Sequence, residues 1–146
     1  NVVSGLALGC DVSAHKGCLD KLGFTTAVLA HGLDTVYPKE NTEIADQIVK
    51  SGGILISEYY VGQTSRPNYF IERDRIQAMM ASDIILIESK IDGGSMHAIK
   101  WAKKLNKRIW CFDINASGNI DAIKNGAIKF SNLEEFISSY NNEIKQ

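Results

Sequence analysis

Two glycine-bearing turns and one arginine-rich segment hold the residue types in this chain that suit an anion. The first turn is Ser4-Gly5-Leu6-Ala7-Leu8-Gly9-Cys10-Asp11. Val2 and Val3 ahead of it read as the tail of a buried strand, and the pattern from Asp11 onward is helical. A strand that passes through two glycines into a helix makes a phosphate seat. Glycine permits close backbone approach and positive φ, and the helix start offers unpaired N–H groups at a positive dipole end. Ser4 adds a hydroxyl, and Asp11 is placed to cap the helix. The same residues also serve a plain strand-to-helix turn, so this stretch alone leaves both readings open.

The second turn, Asp92-Gly93-Gly94-Ser95-Met96-His97, also opens a helix. Gly93 and Gly94 let N–H groups point at an anion, with Ser95 as cap and contact; an ordinary helix cap is the alternative. Between the two turns lies Arg66-Pro67-Asn68-Tyr69-Phe70-Ile71-Glu72-Arg73-Asp74-Arg75, with three arginines and two rings in ten residues. Guanidinium forks match phosphate oxygens, and exposed rings offer stacking platforms for bases. Against this, Arg73 and Arg75 have Glu72, Asp74 and Glu58 as acidic partners, and Phe70 can staple the helix start.

Other chemistries lack their residues. His15, His31 and His97 do not fall at zinc-ligand spacings. Ser4 and Ser57 have no nucleophile-elbow context, and Cys10 and Cys18 read as core positions. No catalytic residue, metal or cofactor is expected. Three cysteines, an odd number without metal-type spacing, suit a reduced, cytoplasmic chain. No apolar run approaches the ~20 residues that span a bilayer. A formal net charge of −1 argues against indiscriminate coating of nucleic acid but allows a local basic patch.

The elements that must position these groups follow from the apolar pattern. Helices are expected over Asp11–Leu22, from Asn41 (its N-cap) to Gly52, over Phe70–Ala81, Met96–Leu105, Asn119–Lys124 and Leu133–Tyr140. Strands are expected over Thr25–Ala30, Ile54–Ser57, Ile84–Ile87, Arg108–Phe112 and Ala127–Phe130. With 45% hydrophobic and 23% charged residues over 146 positions, this is one α/β domain, residues 1–146. The alternation predicts a three-layer doubly wound, mostly parallel sheet. Ligands of such sheets collect beyond the carboxyl ends of the strands. Ser4-Gly5, the segment from Glu58, and Asp92-Gly93-Gly94 are therefore expected on one rim. The chain opens inside a strand, as though an earlier strand and helix belonged before it.

The segment from Ser4 to His15 resembles the S-G-L-A-x-G-I-D-x-x-A-H stretch of the DNA-processing protein DprA/Smf family. The likeness continues through Ala27-Val28-Leu29, Gly32-Leu33-Asp34, Tyr37-Pro38-Lys39-Glu40-Asn41, Ser57-Glu58, Phe70-x-x-Arg73-Asp74-Arg75-Ile76, Gly94-Ser95 and Gly126-Ala127. It implies a Rossmann-like fold, single-stranded DNA binding, a homodimer, and delivery of DNA to a RecA-type recombinase in natural transformation, with no enzymatic activity. Carried across, the residues touching DNA or nucleotide phosphate are Ser4, Gly5, Leu6, Ala7, Gly9, Asp11, Arg66, Phe70, Arg73, Arg75, Gly93, Gly94, Ser95 and Met96. Asp74 stands where the family has asparagine, Gly93 where it has serine, and Met96-His97 where many members have leucine and isoleucine. The family's first strand with its G-S-R loop, and a winged-helix tail, have no counterpart in the sequence.

Two further functions compete. A phosphoribohydrolase of the lysine-decarboxylase-like group shares the general sheet and a glycine loop. Its P-G-G-x-G-T-x-x-E motif is not met by Asp92-Gly93-Gly94-Ser95-Met96-His97-Ala98-Ile99-Lys100, which lacks the third glycine and the glutamate. A noncatalytic nucleotide sensor would use the same loops for a mononucleotide. A structural domain with a vestigial rim is the remaining reading.

Overall fold

The computed structural model describes residues 1–143. Strands and helices alternate along the chain as the apolar pattern predicts, and the fold is α/β and Rossmann-like. The chain forms two compact units, divided after Ala81.

The first unit contains β1 (Val2–Ser4), α1 (Cys10–Asp20), β2 (Thr25–Leu29), α2 (Thr42–Lys50), β3 (Ile54–Ser57) and α3 (Pro67–Met80). Its strands pair in parallel in the order β1-β2-β3, with Val3 opposite Thr26 and Thr26 opposite Ile54. Parallel pairing sends all three strands out at the same edge. Leu6, Ala27, Leu29, Ile44, Ala45 and Ile48 make one buried cluster, with Val12, Leu19, Val36 and Leu55 packed against it. Val28 points to the opposite face by the two-residue strand period, and α3 packs against β1 and β2.

The second unit contains β4 (Asp83–Leu86), α4 (Ser95–Lys104), β5 (Arg108–Phe112), α5 (Ser117–Lys124), β6 (Ile128–Phe130) and α6 (Leu133–Glu143). These strands are also parallel, in the order β4-β5-β6. Leu86, Met96, Ile99, Ala102, Ile109, Cys111, Ala122 and Ala127 form its core. On the other face Trp110, fully buried, meets the α6 rings of Phe136 edge-on at 5.2 Å and Tyr140 at 5.8 Å. Asp83 pins β4 to β5, accepting from Arg108 Nε at 2.7 Å, Arg108 Nη2 at 3.2 Å and Trp110 Nε1 at 3.1 Å.

Helix starts depart most from the pattern. α3 begins at Pro67, three residues before the expected Phe70, because proline's fixed φ and missing N–H suit the first helical position. α1 begins at Cys10 with Gly9 as its N-cap, which puts Asp11 inside the first turn and not at the cap. Among the described residues no helix is long and apolar enough to cross a membrane.

Candidate nucleic-acid interface

The first glycine turn already holds a carboxylate. Asp11 Oδ2 accepts from the Gly5 N–H at 2.9 Å and the Ala7 N–H at 3.0 Å. One acidic side chain thus shapes the turn by occupying two of its amides. The first-turn N–H groups of α1 receive no side-chain cap among the described residues. Leu6, between the two bonded amides, sits at φ 62° with its side chain fully buried. Its carbonyl accepts from Asn41 Nδ2 at 2.7 Å. Asn41 is therefore the N-cap residue of α2 by position, while its amide serves the turn across the unit.

Arg73 supports the same turn from inside. It is buried, and its Nη1 donates to the Gly5 carbonyl at 3.0 Å and to the Val28 carbonyl. Its Nε donates to Asp74 Oδ1 at 3.2 Å. A Cβ on Gly5 would run into this guanidinium, which would have to shift from its buried carbonyl bonds to admit a side chain. The Arg73 guanidinium therefore faces backbone, not solvent. Arg75 closes on Glu58 through both carboxylate oxygens, each side chain a little over one-third exposed.

Arg66 differs from both. It is exposed at the N-cap of α3, and its guanidinium carbon stands 5.7 Å from the Tyr69 ring centre. Tyr69 stacks on Tyr59 with centroids 4.1 Å apart and planes 21° apart. Tyr59 Oη donates to Glu72 Oε2 at 3.2 Å; burial first, then Glu72, pushes its pKa up to about 12. Phe70 is half-buried with its ring 6.1 Å from Tyr37, and Tyr60 is 83% exposed. The arginine-bearing helix start thus meets a pair of stacked rings of which Tyr59 was missed in the sequence, with the exposed Tyr60 next to it in the chain. Their signal was a pair of aromatic residues directly after a strand exit.

Backbone and side-chain ties fix the two exit loops to each other. Ser57 Oγ donates to the His31 carbonyl at 2.6 Å, Gly32 N to Gln63 O at 2.8 Å, and Gly62 N to Asp34 Oδ1 at 2.9 Å. His31 is buried, with Nδ1 donating to the Gly32 carbonyl at 2.8 Å and Nε2 accepting from the Tyr37 N–H at 3.3 Å. That pair of bonds ties the imidazole to the loop backbone on both sides.

In the second unit the Gly93 N–H is taken by the Lys90 carbonyl at 2.9 Å. Gly94 is the N-cap of α4, and Ser95 is its first residue, exposed. Met96 is buried in the core, so only its backbone faces the turn, and its N–H donates to Gly93 O at 3.0 Å. Asn119, fully buried, holds this loop: its Oδ1 accepts from Ser89 N–H at 2.9 Å, and its Nδ2 donates to Ile87 O and Phe112 O. Ser4, Gly5, Leu6, Ala7, Gly9, Asp11, Arg66, Phe70, Arg73 and Arg75 belong to the first unit, and Gly93, Gly94, Ser95 and Met96 to the second. Among the described residues no group of three or more His, Cys, Asp and Glu could hold a metal ion.

The family model described as DNA recombination-mediator protein A matches residues 1–141. Protein Smf of Synechocystis is 36% identical over 131 residues, 86% of this chain and 33% of that protein. DNA processing protein DprA of Streptococcus pneumoniae is 39% identical over 95 residues, 65% of this chain and 33% of that protein. The X-ray structure of DNA processing protein A from Streptococcus pneumoniae superposes with a TM-score of 0.82 at 29% identity, covering 94% of this chain and 50% of that one. The structure from Helicobacter pylori gives a TM-score of 0.86 at 26% identity, covering 97% and 66%, and concerns that protein's unique single-stranded DNA binding mode. The chain spans about a third of the length of these two curated relatives.

Proposed function

Because the chain belongs to the DNA recombination-mediator protein A family, we propose that it binds single-stranded DNA at the strand-exit edge of its first unit and catalyses no reaction. The observation that carries this reading is the exposed Arg66 beside the Tyr59–Tyr69 stack, on a loop tied to the neighbouring exit loop. A backbone phosphate meets Arg66 and the open first-turn amides of α1. Bases meet Phe70 and the tyrosine rings, whose faces accept any base. Arg73 and Asp11 act on DNA through the turn they hold, while Arg75 is closed on Glu58 and supports the loop. Gly94 and Ser95 provide a further phosphate seat on the second unit, in a turn that the Gly93 N–H closes on Lys90. At the scale of the whole protein, the reading extends to a cytoplasmic homodimer that passes DNA to a RecA-type recombinase.

Oligothymidine binding, followed by fluorescence anisotropy across a salt series, tests the proposal. Affinity is expected to fall linearly in log–log form with salt, as counterion release requires. Arg66→Ala and Phe70→Ala each weaken binding, the ring by about 1–3 kcal/mol. Unchanged affinity in both variants overturns the site. Equal affinity for AMP and oligothymidine overturns the nucleic-acid reading in favour of a nucleotide sensor.

A further inference from the structure

The second unit has a basic groove at the edge opposite its strand exits. It is lined by Lys103, Asn106, Lys107 and Arg108 on one side and by Asn125 and Gly126 on the other. Arg108 and Ile128 are the first residues of β5 and β6, which places the groove where these strands enter the sheet. Two like-shaped turns build it. Asn106 and Gly126 both take positive φ, and Lys107 N and Ala127 N each close back on the preceding helix, to Ala102 O at 2.9 Å and Ala122 O at 3.0 Å.

Its charge is one-sided. From Gly93 to Phe112 the chain carries Lys100, Lys103, Lys104, Lys107 and Arg108 and no acidic residue. Arg108 is neutralised by Asp83, and Asp121 stands at the rim, bonded by Asn125 Nδ2 at 3.1 Å. Lys104 lies 4.6 Å over the Trp101 ring. Lys103 and Lys107 remain as the groove's own cations. Cations at a helix end complement its dipole, but among the described residues α1 and α3 end with no basic residue in the last turn. The dipole therefore does not by itself demand this density on α4.

We propose that this groove is a second contact for the phosphate backbone of single-stranded nucleic acid, used without base recognition. It rests on the DNA-binding reading above. Lysine suits the task, because a compact charge on a flexible stem follows a mobile backbone that no fixed fork would match. Among the described residues the groove lining has no aromatic ring for a base to stack on, so its contribution is electrostatic.

The test is the double variant Lys103→Ala/Lys107→Ala, with Lys21→Ala/Lys50→Ala on the first unit as the control for lost charge. Long oligothymidine is titrated from low to high salt, and folding is checked by circular dichroism. The groove variant is expected to flatten the log–log salt slope by about 1.4, for two phosphate contacts at ~0.7 each, a loss on the order of 20-fold at ~0.1 M salt. The control leaves the slope unchanged. An unchanged slope in the groove variant, with Arg66→Ala still impaired, overturns this inference alone; equal flattening in the control overturns it too. Binding of a polyglutamate peptide that the groove variant loses, while oligothymidine binding stays intact, overturns it in favour of an acidic protein partner. Failure of the unaltered chain to bind oligothymidine overturns both readings.

Discussion

Single side chains decide how the glycine turn is held. Arg73 donates to two carbonyls and a carboxylate while buried, so its removal strands acceptors away from water. Arg73→Met is expected to lower unfolding free energy in urea by about 3 kcal/mol, and Arg73→Lys to recover only part of it, since an ammonium cannot span the same three acceptors. Gly5→Ala is expected to destabilise by a comparable route, by pushing on that guanidinium. His15 offers a pH-dependent check. It is fully buried, with Nδ1 2.6 Å from Thr25 Oγ1 and Nε2 without a hydrogen-bond partner among the described residues. Burial holds its pKa below the usual 6.5, against the opposing charge of Asp11. The unfolded chain then takes up a proton first, so the His15 contribution is whole above pH 6.5 and is lost as pH falls below it. Urea unfolding at a series of pH values shows that slope in the unaltered chain, and His15→Gln flattens it.

Elements are joined by a few polar pins, and these set local rigidity. Asn41 links the start of α2 to the glycine turn after β1, a sequence distance of 35 residues. Asn41→Ala is expected to cost about 1–2 kcal/mol and to raise hydrogen exchange at the amides of the turn. In the second unit Asp83 joins β4 to β5. Burial works against its ionisation, but the bonds from Arg108 and Trp110 outweigh burial and hold its pKa below 3.8. A carboxylate held low stabilises above that value and loses its contribution as pH falls through its folded pKa. Asp83→Asn should therefore remove an acid-range loss of stability below pH 3.8, a window separate from that of His15.

For the whole molecule, charge is local and not global. A formal net charge of −1 provides little long-range attraction for a polyanion. Association with oligothymidine is expected to show a weak salt dependence in the on-rate, with most of the affinity change in the off-rate. Stopped-flow measurement across a salt series separates the two, and a steep on-rate dependence would contradict the local-contact picture.

The amino-acid order alone determined the alternation of strands and helices, because burial and backbone propensity act over a few residues. It also determined family membership, since the motif from Ser4 to His15 and the segment from Phe70 to Ile76 are contiguous in the chain. It marked the glycine turns and Arg66. Only the tertiary structure decided what those groups do. Arg73, Arg75 and Arg66 are one residue type within ten positions, yet one is buried under backbone, one is closed on Glu58 and one is exposed. Asp11 turned from helix cap to occupant of the anion seat, and Tyr59 joined Tyr69 across ten residues. Such outcomes depend on which distant carbonyl, carboxylate or ring the fold brings within bonding range, and local sequence carries no term for that distance.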